Sequence, residues 1–484
     1  MRAWRIAVLA WGWLATAGGA AAEPPAGLAA CRLNGVEHEA WCGSVERPLD
    51  PAQPAGPRIQ VHFAVLPALA RNRKPDPVFF LAGGPGQSAI ALAGAAGRML
   101  GRFSNRRDVV LVDLRGTGRS APLACDDEDD PRRPLAESAD PERQLALLAD
   151  CRRRLERLPH GRLQFYSTTL AMQDLDAVRE RLGAARINLV GVSYGTRAAL
   201  EYQRLFPQRV RRAVLDGVAP PDMVLPLAFA PDTQAAFDAW LAACEGEAAC
   251  RARHPALRAN WRRLLDSLPR RVTAAHPFTG AEESFELTRD TLAGLVRLPL
   301  YVPALAAALP AAVDAAAAGR FAPLLGLGAG LGGSRESAIA QGLHFSVVCA
   351  EDVPRMAAAP APPRTDFGDG FARLYTRACA DWPRAAVPEA FYRVPPAPAP
   401  VLLLSGGADP VTPPRHAARV AKALGANALS VVVPQAGHGL LGLGCLRDAV
   451  FRFVDAETEA QALATDLRCA ERVPRPPAFE PVAP

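Results

Sequence analysis

The chain has 484 residues, half of them hydrophobic and 21% charged, with 55 basic and 49 acidic side chains and a formal net charge of +6. That length and apolar content exclude a disordered or fibrous chain and leave room for a large core and two structural units. The basic residues are almost all arginine (Lys74 and Lys422 are the lysines) and lie scattered among the acids, so no basic stripe marks a nucleic-acid surface.

At the N-terminus, Arg2 and Arg5 precede an apolar stretch from Ile6 to about Leu14, and Ala20-Ala-Ala22 precedes Glu23. This is the layout of a secretory signal peptide cleaved after Ala22, and the run is too short for a spanning anchor. A lipidation-like box at Leu28-Ala-Ala-Cys31 is separated from the apolar run by Glu23, Pro24 and Pro25, so no stable membrane anchor is expected. The expectation is an exported chain, periplasmic or secreted. In such a chain ten cysteines imply disulfides. They fall in near pairs: Cys31/Cys42, Cys125/Cys151, Cys244/Cys250, Cys349/Cys379 and Cys445/Cys469. Sequential pairing is the simplest hypothesis, although spacing alone does not fix connectivity. No clustered C-x-x-C or histidine spacing points to zinc, and no metal or other cofactor is expected.

After a loop-rich start, strand-like runs fall at Arg58–Leu66, Pro77–Leu81 and Asp108–Leu114. A helix is predicted around Leu170–Leu182, with Leu170, Leu175, Val178 and Leu182 on one face and Thr168 or Thr169 as its cap. A buried strand at 186–192 runs into Gly191-Val-Ser-Tyr-Gly195, followed by a helix from Thr196 to Phe206 that Pro207 stops. Another strand covers Arg212–Gly217. Alternating strands and helices of this kind imply a parallel sheet with helices on both faces. From Ala219 to about Pro395 the alternation gives way to Ala- and Leu-rich helical pieces at 235–243, 257–268 and 305–318, with the Gly-rich segment 326–333 as a loop. Alternation resumes with a strand at Val401–Ser405, a helix at Pro413–Leu424, a strand at 428–434 and a helix at Cys445–Val454. The pattern predicts a doubly wound α/β core, residues 23–218 and 395–484, interrupted by a helical cap, 219–394.

G-x-S-x-G at 191–195 describes a shape. A strand turning sharply into a helix holds Ser193 in a strained conformation with its hydroxyl exposed, and the glycines let strand and helix approach. A serine hydroxyl needs a base, and the base needs an orienting acid. In doubly wound hydrolases their order along the chain is serine, acid, histidine. Asp409, past the end of the 401–405 strand, is the candidate acid, with Asp216 its rival. His438, in a Gly-flanked loop past the 428–433 strand, is the candidate base; His416 and His344 compete poorly from a helix and from the cap. The oxyanion needs backbone donors. The Tyr194 amide follows the nucleophile, and the loop Ala82-Gly-Gly-Pro-Gly86 offers Gly84, with Gly83 in reserve.

Gly83-Gly-Pro-Gly86, Asp113-Leu-Arg-Gly-Thr-Gly-Arg-Ser120, the serine motif and the Asp409/His438 tail together resemble the α/β-hydrolase peptidases that include prolyl aminopeptidases and secreted tripeptidyl aminopeptidases. The cysteine positions and Ser346-Val-Val-Cys-Ala-Glu-Asp352 look closer to the tripeptidyl branch. Two departures weaken strict prolyl specificity: Ala82 stands where prolyl aminopeptidases carry histidine, and Leu114 where many have glutamine. The resemblance implies an α/β-hydrolase fold with a helical cap and a serine aminopeptidase acting on peptides. It also implies that Asp113 and Arg115 shape a loop bordering the site. Family aminopeptidases hold the substrate's α-amino group with cap carboxylates, which implies that role for Glu351 and Asp352. The rival expectations are a carboxylesterase or lipase using the same triad and a non-catalytic hydrolase-fold binding module.

Overall fold

The computed structural model describes residues 25–125, 130–330 and 338–479, and the expected signal peptide lies outside them. The described residues form a nine-stranded sheet: β1 (Ala29–Cys31), β2 (Ala40–Pro48), β3 (Arg58–Leu66), β4 (Val78–Leu81), β5 (Val109–Val112), β6 (Ile187–Val192), β7 (Val210–Asp216), β10 (Val401–Gly406) and β11 (Ala428–Val433). Their order is β1-β2-β3-β5-β4-β6-β7-β10-β11. The six strands from β5 to β11 pair in parallel, and β3, β2 and β1 extend the edge antiparallel. Two of these correct the expected loop-rich start: β1 and β2 are strands, and β2 pairs with β3 from Trp41 to Pro48.

The strands are apolar because the sheet is covered on both faces. Along β10 the period of two is visible in the packing. Leu403 joins Phe79, Val110, Leu189 and Leu215 in one core, while Leu402 and Leu404 join Phe80, Leu111, Val190 and Val214 in the other.

Helix α1 (Thr168–Arg181) precedes β6 and α2 (Tyr194–Leu205) follows it. The α1 cap is Ser167, whose side chain accepts from the Leu170 amide, rather than Thr168 or Thr169. Thr168 is buried and committed to other partners, described below.

Between β7 and β10 lie α3 (Leu225–Gly246), α4 (Leu257–Asp266), α5 (Arg289–Leu300), α6 (Leu309–Ala317), α7 (Ala322–Ala329), α8 (Gln341–Glu351) and α9 (Gly370–Ala378). An antiparallel hairpin, β8 (Arg270–Ala275) with β9 (Glu282–Leu287), also lies in this stretch and departs from a purely helical reading. Phe237, Trp240, Trp261, Phe285, Leu292 and Leu309 belong to a third core here. Gly326 and Gly328, expected in a loop, lie inside α7. A Cβ on Gly328 would come within 2.5 Å of the Leu295 side chain, so the glycine serves close packing of α7 on α5.

After β10 come α10 (Pro414–Leu424) and, following β11, α11 (Gly444–Asp455). All ten cysteines are paired, in the five sequential pairs. Among the described residues no helix is long and apolar enough to cross a membrane.

Candidate active site

Ser193 stands between β6 and α2 with φ 56° and ψ −122°, a left-handed conformation that a non-glycine residue adopts at a cost. The turn is enforced from both sides. A Cβ on Gly191 would meet the Gly195 carbonyl oxygen at 2.3 Å, and one on Gly195 would meet that of Leu81 at 2.1 Å. Three bonds pin the elbow. The Ser193 amide donates to the Asp216 carbonyl (2.8 Å), and the Thr196 hydroxyl donates to the Ser193 carbonyl (2.6 Å) while accepting from the Ala219 amide (2.8 Å). Thr196 was not singled out from the sequence; its place three residues past the nucleophile is the signal that could have found it.

Asp409 is buried and fully engaged. Its Oδ1 accepts the amides of Val411 (2.8 Å) and Thr412 (2.9 Å), and its Oδ2 accepts the Thr412 hydroxyl (2.7 Å) and Nδ1–H of His438 (2.8 Å). Since Nδ1 donates to the carboxylate, Nε2 is the nitrogen free to take a proton. Burial pushes the Asp409 carboxyl up, but His438 and the Thr412 bonds outweigh it and hold it below the ordinary range. Burial likewise works against a charged His438; Asp409 outweighs it, and the histidine becomes more basic than usual.

The loops around Ser193 converge. A Cβ on Gly83 would lie 3.3 Å from Ser193 Cβ, so the glycine loop after β4 sits directly against Ser193. A Cβ on Gly217, the residue after Asp216, would lie 3.1 Å from His438 Cε1. Thus Asp216–Gly217 touches the serine turn on one side and the histidine on the other. The Tyr194 amide, first in α2, has no acceptor within its own helix. Gly84, at φ 108°, continues the loop one residue past Gly83.

Three further groups shape these loops. Asp113 accepts the Ser88 hydroxyl (2.6 Å) and the amides of Ile90 and Arg119, and Arg115 pairs with Asp174 (2.7 Å). Asp113 therefore ties its own loop to the segment after the glycine turn, and Arg115 ties that loop to α1. His344, set aside in the sequence reading, bonds through Nδ1 to the Pro85 carbonyl (3.2 Å) and through Nε2 to the Tyr375 hydroxyl (2.7 Å). A carbonyl only accepts, so Nδ1 carries the hydrogen and Nε2 accepts. Burial holds this imidazole neutral, its pKa lowered to about 4.

Asp216, the rival acid, does not bond the histidine. Its Oδ2 accepts the amides of Leu440 (2.7 Å) and Leu441 (2.9 Å), just past His438, and its buried Oδ1 has no partner among the described residues. Burial raises its pKa to about 6.

Glu351 and Asp352, at the end of α8, are buried beneath α2 and apart from the bonds that join Asp409 to His438. Glu351 accepts the Thr168 amide (2.7 Å) and hydroxyl (2.9 Å), and the Thr168 hydroxyl also bonds the Tyr194 hydroxyl (2.7 Å). Asp352 takes a two-pronged pair from Arg197 (2.9 and 3.1 Å) and the Leu225 amide (3.0 Å). These carboxylates are turned to the chain's own donors. Burial pushes Glu351 up to about 7 despite Arg197 at 3.6 Å.

A sequence family described as alpha/beta hydrolase fold matches residues 76–251, and one described as TAP-like protein matches 364–469. The chain is 31% identical over 195 residues to a tripeptidyl aminopeptidase of Streptomyces lividans, a stretch covering 37% of this chain and 35% of the relative. It is 29% identical over 267 residues to the serine protease Hip1 of Mycobacterium tuberculosis, covering 51% of each. It is 29% identical over 143 residues to a proline iminopeptidase of Neisseria meningitidis, covering 29% of this chain and 32% of the relative. The matched stretches span from about a third to about half of those relatives' lengths. The chain therefore has an α/β-hydrolase fold, and its matched stretches are similar to tripeptidyl and prolyl aminopeptidases, nearer the tripeptidyl branch.

Proposed function

We propose that the chain is an exported serine peptidase that releases short N-terminal fragments, tripeptides or single residues, from peptides through an acyl-enzyme on Ser193. The observation that carries this reading is the convergence of a strained serine turn, a histidine bonded at 2.8 Å to a buried aspartate, and a glycine loop on one end of the sheet. Ser193 attacks the scissile carbonyl while Nε2 of His438 takes its proton, and Asp409 fixes the ring and stabilises the imidazolium. The amides of Tyr194 and Gly84, with Gly83 in reserve, receive the oxyanion. His438 then protonates the leaving amine, and water attacks the acyl-enzyme by the same proton path in reverse. Every step uses groups of the chain, and the proposal calls for no cofactor.

We assign residues 219–394 the role of a cap over the site, with specificity in its side chains. The Glu351/Asp352 pair is better supported as a brace under α2 than as an ammonium receptor, because the chain's own donors already occupy both carboxylates. Export is supported by five disulfides, which persist in oxidising compartments.

A fluorophosphonate probe tests the nucleophile: labelling of the parent chain and its loss in Ser193→Ala are expected, and labelling that survives the substitution defeats the assignment. Tripeptidyl and aminoacyl anilides set against p-nitrophenyl acyl esters test the substrate class. Turnover of esters alone gives the site to an esterase.

A further inference from the structure

Arg297, on α5, is a buried cation beside the histidine of the triad, with 8% of its surface exposed. Its guanidinium carbon lies 4.2 Å from the centre of the Phe229 ring, 5.3 Å from Phe371 and 5.5 Å from Tyr301. One NH2 donates to the Tyr301 hydroxyl (3.0 Å), while the buried Nε has no partner. Among the described residues no carboxylate forms an ion pair with it. The nearby acids are committed elsewhere, Asp409 to His438 and Asp352 to Arg197.

Burying a cation without a counter-charge is costly, and three ring faces offset only part of that cost. The guanidinium retains donors in the planar fork that matches a carboxylate. Its position matters as much as its charge. The Tyr301 ring packs edge-on against His438, centroids 5.3 Å apart, and the Tyr301 carbonyl accepts the His438 amide (2.8 Å). Arg297 therefore stands behind the ring that packs against His438, within one side chain of the histidine.

We propose that Arg297 is a receptor for a carboxylate on the fragment that leaves, so that the site selects short peptides whose first leaving residue bears a free carboxylate. That carboxylate is either the chain terminus or an acidic side chain. The inference rests on the serine peptidase reading above and names the substrate class of that site.

The full chain is tested by protection of Ser193 from fluorophosphonate labelling, using Ala-Ala-Pro-Ala as the free acid and as the C-terminal amide, and Ala-Ala-Pro-Asp-amide against Ala-Ala-Pro-Asn-amide. The acids are expected to protect at concentrations roughly tenfold lower than their neutral counterparts. The first pair reports a terminal carboxylate and the second a side-chain one. Arg297→Gln should erase the ratio between the acid and neutral member of each pair, and Arg297→Lys should keep part of it. Raised salt should weaken the acids and spare the amides, a readout that needs no variant. Equal protection by acids and neutral peptides in the parent, or an unchanged ratio in Arg297→Gln, overturns the inference and leaves the nucleophile standing. A parent chain that does not label overturns the serine reading and this inference together.

Discussion

Two neighbouring parallel strands, β7 and β10, each deliver a buried aspartate near the same histidine, and the two are built oppositely. Asp409 sits in a turn that supplies two amides and a hydroxyl, and its remaining lone pair meets the imidazole. Asp216 receives two amides from the segment after the histidine and keeps one oxygen unpartnered. Equal burial thus gives opposite outcomes: the first carboxyl is driven below its ordinary range, the second raised to about 6. Burial alone does not make a carboxylate an orienting acid. The direction in which its charge is spent decides that role.

The sharpest break between them is expected in turnover. Asp409→Asn should cost about 10³- to 10⁴-fold in kcat, because an amide no longer selects the Nδ1–H tautomer or stabilises the imidazolium. Asp216→Asn should cost far less, since its amide oxygen can still accept from Leu440 and Leu441. Steady-state kinetics on one substrate with both variants decides the pair, and comparable losses would mean that the two acids share the orienting role.

The contrast also marks what sequence could reveal. Ser193, Asp409 and His438 each follow an apolar strand with a recognisable turn, and open α/β sheets gather functional groups at those ends. Local pattern therefore placed them without knowledge of packing. The bonds that distinguish Asp216 from Asp409 join residues 224 and 29 positions apart, and the first leaves no periodic trace. The same holds for His344 on Pro85, 259 positions away, and for Glu351 on Thr168, 183 away. β2 leaves no clear period in the sequence because its burial does not alternate regularly, and the Gly-rich segment 326–333 predicts a loop although α7 uses Gly328 for contact with α5.

A second, smaller effect sharpens the comparison through pH. Asp216 carries a negative charge above about pH 6, and that charge favours protonated His438. Its removal in Asp216→Asn should lower the histidine pKa, so the acid limb of kcat/KM moves to lower pH by up to about one unit. The stability sign is opposite. A folded-state pKa raised above 3.8 contributes stability below that pH and loses it as pH rises through about 6. The parent should therefore fall relative to Asp216→Asn across that window, as denaturant titrations at several pH values would reveal. An acid limb that does not move removes Asp216 from the electrostatics of the histidine.

The smallest effect on activity is expected at Glu351, a third buried carboxyl, which holds the first residue of α1. Its pKa, raised from 4.5 to about 7 by burial, means that the stability it contributes is complete below 4.5 and is lost as pH rises through about 7. Glu351→Gln keeps an acceptor for the Thr168 amide and has no charge to desolvate, so its stability should match the parent at acid pH and exceed it above pH 7. Glu351→Ala strands the Thr168 amide and should cost about 1–3 kcal/mol at either pH. In both variants the ratio of hydrolysis of free-amine peptides to N-acetylated ones should equal the parent's. A ratio that collapses in Glu351→Gln would return this carboxylate to the role of ammonium receptor. It would also mean that a bound peptide draws Glu351 away from Thr168, since in the resting geometry both of its oxygens are occupied.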